Sequence, residues 1–85
     1  VKSKQGLVIK VLSKPNCHLC EVAKDVVRRA REEIEFEIEE VDIRGDTDLF
    51  EKYKNDIPVI FINSRKAFKH RVEYKAFIKR LRMKV

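Results

Sequence analysis

Cys17 and Cys20 are the two cysteines of an 85-residue chain, with only His18 and Leu19 between them. Two cysteines this close cannot form the framework of a disulfide-rich secreted domain, which needs several bridges between distant segments. They can form one local, reactive pair. Thiol-disulfide exchange needs a thiolate, because the neutral thiol is a poor nucleophile and a free cysteine has a pKa of about 8.5. Lys14 and His18 are close in sequence to Cys17 and can stabilise a negative sulfur, as can the start of a helix. The chemistry is then attack of Cys17 on a substrate disulfide or mixed disulfide. Cys20 follows by attacking the Cys17 sulfur, which releases reduced substrate. A Cys-x-x-Cys pair also occurs as half of a zinc site. Completing it would take Cys17, His18, Cys20 and the distant His70, and the chain has no second close-spaced pair of ligands.

The elements that must position this pair follow from hydrophobic periodicity. Residues 6–12 form a nearly continuous apolar run rich in β-branched residues, the pattern of a strand buried on both faces. Ser13-Lys14-Pro15-Asn16 breaks it. From Cys17 to about Arg31, Cys20, Val22, Ala23, Val26, Val27 and Ala30 recur at helical spacing, with charges on the other face. Asn16 is a candidate N-cap, which puts Cys17 in the first turn and Cys20 one turn further in, on the buried side. Residues 34–43 alternate through Ile38, as an edge strand would, with glutamates that discourage edge-to-edge pairing. Asp46 or Thr47 can cap a short helix whose Leu49, Phe50 and Tyr53 share one side and which ends before Pro58. Residues 58–62 read as a third strand, 63–66 as a turn and 67–69 as a short fourth strand. Residues 72–82 carry the stripe Tyr74, Phe77, Ile78 and Leu81 of a final helix.

The order is βαβαββα, an α/β chain with a four-stranded mixed sheet flanked by three helices on both faces. The first two strands are expected to run parallel through a right-handed crossover, and the last two antiparallel. Cys17 then lies just beyond the carboxyl end of the first strand, where open α/β sheets hold their ligands.

The length leaves room for one domain over residues 1–85. Charged residues make up 40% of the chain, against roughly 25% in an average globular protein, so the surface is heavily charged. That charge is uneven: +4 over residues 1–20, −6 over 21–56 and +8 over 57–85, which directs anionic partners to the two ends of the chain. The start, with Lys2 and Lys4, leads into an apolar stretch of only six residues, and no run of about 20 apolar residues follows. Neither a signal peptide nor a membrane span is expected, and a cytoplasmic location is. The chain begins at Val1 rather than Met, as a piece of a longer product would. The basic last helix (Lys75, Lys79, Arg80, Arg82, Lys84) would suit a noncatalytic adaptor or a nucleic-acid binder. A solvated charged face is the simpler reading, since no nucleic-acid motif or aromatic platform lies among these residues.

Three stretches together resemble a known family. They are Ser13-Lys14-Pro15-Asn16-Cys17-His18-Leu19-Cys20, Tyr53-Lys54-Asn55-Asp56-Ile57-Pro58-Val59 and His70-Arg71-Val72. Over nearly its whole length the chain is similar to the glutaredoxins of the thioredoxin fold, and more closely to the short glutaredoxin-like group named as a domain of unknown function. The resemblance implies that Cys17 attacks and Cys20 resolves, and that Pro58 is cis and packs against the pair. It also implies that the Ile57 backbone pairs with a bound peptide or glutathione, and that Lys14 meets a glutathione carboxylate. The implied activity is reduction of protein disulfides or glutathione mixed disulfides by a monomer. No bound cofactor is implied, and electrons come from glutathione or a thioredoxin-type reductase. Some relatives instead carry a metal or iron–sulfur cluster on such a cysteine. Two features depart from the glutaredoxin pattern. His18-Leu19 stands where Pro-Tyr is usual, and Lys69-His70-Arg71 occupies the region of a Gly-Gly pair, where Arg71 can bind a carboxylate instead.

Overall fold

A computed structural model describes residues 6–83. The readings placed on residues 1–5 and on Lys84 lie outside them. Four strands, β1 (Val8–Ser13), β2 (Glu37–Asp42), β3 (Val59–Ile62) and β4 (Arg65–Lys69), form one sheet in the order β2-β1-β3-β4. Three helices, α1 (His18–Ala30), α2 (Thr47–Tyr53) and α3 (Tyr74–Arg82), join them in the expected order, with a 3-10 turn at Ile43–Gly45 before α2. β1 pairs parallel with β2, from Val8 opposite Glu37 to Ser13 opposite Asp42. β3 lies antiparallel to both β1 and β4. β2 is therefore an edge strand, as its glutamates indicate, and β4 is the other edge. Among the described residues no helix is long and apolar enough to cross a membrane.

Most of the core lies on one face of the sheet. Ile9 and Val11 of β1 and Ile60 and Ile62 of β3 pack there against Ala23, Val27 and Ala30 of α1 and against Phe77, Ile78 and Leu81 of α3. The helical stripes are the ones the periodicity predicts, and the alanines let α1 sit close to the strands. Phe77 is the hub, with Phe36 at 6.2 Å and Phe68 at 6.0 Å between ring centroids, both edge-on. A network on the surface ties the end of α1 to α3. Glu33 accepts hydrogen bonds from the Tyr74 hydroxyl and from Arg82, and Arg29 lies 4.2 Å from the Tyr74 ring centroid. The hydrogen bond to the Glu33 carboxylate, with some burial, holds Tyr74 above the usual tyrosine range.

The opposite face is thinner. Leu12 and Val59 meet Ile43 and Tyr53 there, with Leu49, Phe50 and Phe61 packed alongside. α2 has seven residues, about 10 Å of helix, and covers only the end of the sheet nearest the cysteines. This corrects the reading of the first strand as buried on both faces. Leu12 and Ser13 are buried, but Val8 and Lys10, beyond the reach of α2, are partly exposed.

Four local expectations are also adjusted. The N-cap of α1 is Cys17 rather than Asn16; Asn16 takes a left-handed turn at φ 60°, a conformation asparagine tolerates well. β2 begins at Glu37 rather than Ile34, whose N–H still bonds the Ala30 carbonyl and closes the end of α1. The β3–β4 turn is only Asn63-Ser64, with φ of 49° and 74°, the two positive values a tight hairpin requires. β4 thereby gains Arg65 and Lys66. Lastly, α3 begins at Tyr74, because Val72 is used as a buried side chain before the helix starts. Asp46 caps α2 as expected, accepting from the Leu49 N–H at 3.1 Å.

Candidate active site

The loop from Ser13 to Cys17 carries the chain from the carboxyl end of β1 to the start of α1, and so places the cysteines at the rim of the sheet. Cys17 and Cys20 are joined by a disulfide, with Cα atoms 5.2 Å apart. Their surroundings differ. Cys20 is fully buried, whereas Cys17 keeps part of its surface exposed. The Cys17 sulfur also occupies the N-cap position and accepts a hydrogen bond from the Cys20 N–H at 3.3 Å. A helix N-terminus leaves several N–H groups without helical partners and carries a partial positive charge, so this position favours a sulfur anion. An exposed sulfur of that kind can attack, and a covered one can wait to resolve.

The floor of the site comes from three segments distant in sequence. Leu12 and Val59 of the sheet, Ile43, Tyr53 and Ile57 form one buried cluster with Cys20, and Cys17 packs against it. The Ile57-Pro58 bond is cis, as the resemblance implied, and Pro58 is buried between two members of that cluster. The Ile57 N–H already donates to the Tyr53 carbonyl at 3.2 Å.

His70 holds this loop from the other side. Its N–H donates to the Pro58 carbonyl at 2.8 Å and to the Asp56 carbonyl at 3.2 Å, and its imidazole lies 4.0 Å from the Asp56 carboxylate. His70 has φ 66°, a left-handed backbone that glycine adopts most easily. The region where glutaredoxins carry glycines thus keeps a glycine-like conformation with a side chain on it. The sequence placed His70 in a zinc set and in the region of the glutaredoxin glycine pair, but its hold on the Pro58 loop was missed, because no local pattern signals it. Among the described residues, no group of three or more His, Cys, Asp or Glu side chains could hold a metal ion.

The other residues named from the sequence are spread around this rim. Lys14 is exposed and lines a hollow of about 220 Å³ on the β2 side, together with Lys24 and Asp42. Asp42 itself bonds Arg44, which holds its carboxyl below the usual range. Arg71 is exposed just after β4, and its N–H donates to the Lys69 carbonyl at 2.7 Å. His18 is exposed as the first residue of α1.

Comparison with known proteins agrees with this geometry. The family profile described as Glutaredoxin-like domain (DUF836) matches residues 8–82. The chain is 39% identical over 75 residues to a protein of Dictyostelium discoideum named Glutaredoxin-like protein YDR286C homolog, covering 81% of this chain and 69% of that one. Among solved structures, the target protein XcR50 from X. campestris superposes with a TM-score of 0.75 at 20% identity, covering 88% of this chain and 96% of its own. Protein Ne2328 from Nitrosomonas europaea gives 0.73 at 23% identity, covering 91% and 89%. A thioredoxin from Halobacterium salinarum gives 0.68 at 16%, covering 92% and 74%. With the cysteine pair, the cis-proline loop and the mixed sheet all in place, the chain belongs to the glutaredoxin-like (DUF836) family and has the thioredoxin fold.

Proposed function

We propose that the protein is a dithiol oxidoreductase that reduces protein disulfides or glutathione mixed disulfides. The observation that carries this reading is the asymmetry of the pair: a partly exposed sulfur at the N-cap of α1, linked to a fully buried one. In the reduced protein the Cys17 thiolate attacks one sulfur of the substrate disulfide. A mixed disulfide forms and the other substrate sulfur leaves as a thiolate, which takes up a proton. Cys20 then loses its proton and attacks the Cys17 sulfur. The mixed disulfide breaks, the second substrate thiol departs, and the two electrons supplied by the dithiol leave a Cys17–Cys20 disulfide, the state seen in the structure. Two molecules of glutathione, or the dithiol of a thioredoxin-type reductase, reverse the last bond and restore the dithiol.

The remaining residues act as binding groups in this reading. The Ile57 N–H is already used by the Tyr53 carbonyl, so in this reading it is the Ile57 carbonyl that pairs with a peptide or glutathione backbone. Buried Pro58 shapes the wall beside the pair, and exposed Lys14 and Arg71 are available to a carboxylate on either side. A monomer in the cytoplasm, where thiols are kept reduced, suits this chemistry.

The test is the titration of Cys17. In the Cys20→Ser protein the backbone N–H at position 20 is retained, so the helix start still acts on the Cys17 sulfur. A pH series of alkylation rates is expected to give a midpoint below about 8.5, the value of a free cysteine. A midpoint at or above it would remove the reason for naming Cys17 the nucleophile.

A further inference from the structure

The two edges of the sheet carry opposite charge, and only on one of them are most of the charges paired. On the acidic β2 edge, Glu39 lies 3.9 Å from Lys10, Glu40 is 2.8 Å from Arg28 and Asp42 is 2.9 Å from Arg44. On the β4 side, Arg65, Lys66, Lys69, Lys75 and Lys79 are all exposed, and among the described residues none is within ion-pair distance of an acid. Arg80 joins the strand to the helix, its guanidinium 5.7 Å from the centroid of the Phe68 ring on β4. The acids near this band are Glu73, at the start of α3, and Asp56, which is turned toward His70.

We propose that the outer edge of β4 and the adjoining flank of α3 dock an acidic segment of the disulfide-bearing substrate protein; this rests on the oxidoreductase reading above. Charge complementarity names the partner, because an uncompensated cationic band beside an open strand attracts a segment rich in Asp and Glu. The same charges repel a second copy's β4. Position makes the surface useful to the chemistry. Lys69 pairs with Val59, the residue after Pro58, so the band ends at the level of the active-site loop. A segment alongside β4 lies three strand spacings of about 4.8 Å from β1, roughly 14 Å. Four or five extended residues span that distance, enough to bring a cysteine at the end of the segment to Cys17. A nucleic acid fits less well, because among the described residues no aromatic side chain beside the band is fully exposed for bases to stack on.

The experiment uses the pre-reduced protein in single turnover, so that no external reductant is needed. Its substrates are two short peptides, each with one cysteine held as a mixed disulfide with mercaptoethanol, one flanked by glutamates and one by lysines. The neutral disulfide of mercaptoethanol is the reference. At low salt the acidic peptide is expected to be reduced at least about tenfold faster than the basic one, and the preference should collapse at about 0.5 M NaCl. The double variant Lys66→Glu/Arg80→Glu should erase it while leaving the rate on the neutral disulfide unchanged. Equal rates for the two peptides, or a preference that survives the double variant, would overturn the docking surface. So would a single-stranded oligonucleotide that binds the wild type more tightly than the acidic peptide and is lost in the double variant. Failure to reduce the neutral disulfide would instead overturn the oxidoreductase reading. In that case binding of the labelled peptides, read by fluorescence anisotropy, still decides whether the surface selects acidic segments.

Discussion

Cys17→Ser should bring disulfide reduction down to the uncatalysed background, whereas Cys20→Ser should stop the reaction halfway. Both residues are needed for a complete two-electron exchange, but at different steps. A hydroxyl at position 17 cannot form the mixed disulfide at all, so no substrate sulfur is released. Removing the Cys20 sulfur leaves the first attack intact, because the exposed Cys17 and its helix start are unchanged. That variant should accumulate a mixed disulfide with a protein substrate, and should keep only the monothiol exchange in which glutathione itself resolves Cys17. Intact-mass measurement of the two variants after exposure to a protein disulfide distinguishes the outcomes. The expected pattern is an adduct on Cys20→Ser and none on Cys17→Ser. The reverse pattern would exchange the roles of the two cysteines.

Phe77→Ala should destabilise the fold by about 3–5 kcal/mol. Phe77 is fully buried on α3 and makes edge-on ring contacts with both Phe36 and Phe68, so its removal empties the centre of the larger core. Truncating a buried phenylalanine costs about 3–5 kcal/mol, the lost transfer energy plus the cavity left behind. At roughly 0.05–0.15 kcal/mol per residue, a chain of 85 residues has roughly 4–13 kcal/mol in total, so the loss takes from about a quarter of its stability to, at the lower end, all of it. Urea denaturation followed by circular dichroism measures it. A loss under about 1 kcal/mol would mean that the α3 side of the core can collapse around the gap.

Much of this fold could be read from periodicity. Leu7, Ile9 and Val11 of the first run, the stripe of Ala23, Val27 and Ala30, and the stripe of Phe77, Ile78 and Leu81 are regular because each faces one continuous core. Boundaries were harder wherever two residues can serve the same purpose. Asn16 and Cys17 can each offer an acceptor to the first turn of α1, and the sulfur takes that role while the asparagine makes the turn. Ile34, Phe36 and Ile38 continue one alternation, but the first of them belongs to the close of α1, and only pairing with β1 sets where β2 begins. The exposure of Lys10 depends on how far α2 reaches across the sheet, which no local pattern of β1 records.

The site divides in the same way. The disulfide-bonded pair is local and could be recognised from four residues. The floor beneath it is assembled from Leu12, Ile43, Tyr53, Ile57 and Val59, and only the fold brings these together. His70 shows the limit most clearly. Its backbone N–H secures the Pro58 carbonyl from across the β3–β4 pairing, and its left-handed conformation stands where the family pattern led one to look for glycine. The imbalance between the sheet edges was likewise invisible in segment charges. Those charges showed an acidic middle and a basic end, but not that Arg28, Lys10 and Arg44 answer three of the four acids of β2 while, among the described residues, the cations of β4 go unanswered.

In the proposed reaction Cys17 and Cys20 exchange electrons with a disulfide as a pair. The most direct measurement is the state of the two cysteines after fully reduced wild-type protein meets one equivalent of a glutathione mixed disulfide, with intact mass and peptide mapping as the readout. The protein is expected to become lighter by two hydrogens, with Cys17 and Cys20 joined to each other and both substrate thiols free. A dithiol that survives unchanged, or glutathione left on Cys20 with Cys17 untouched, would contradict that reaction.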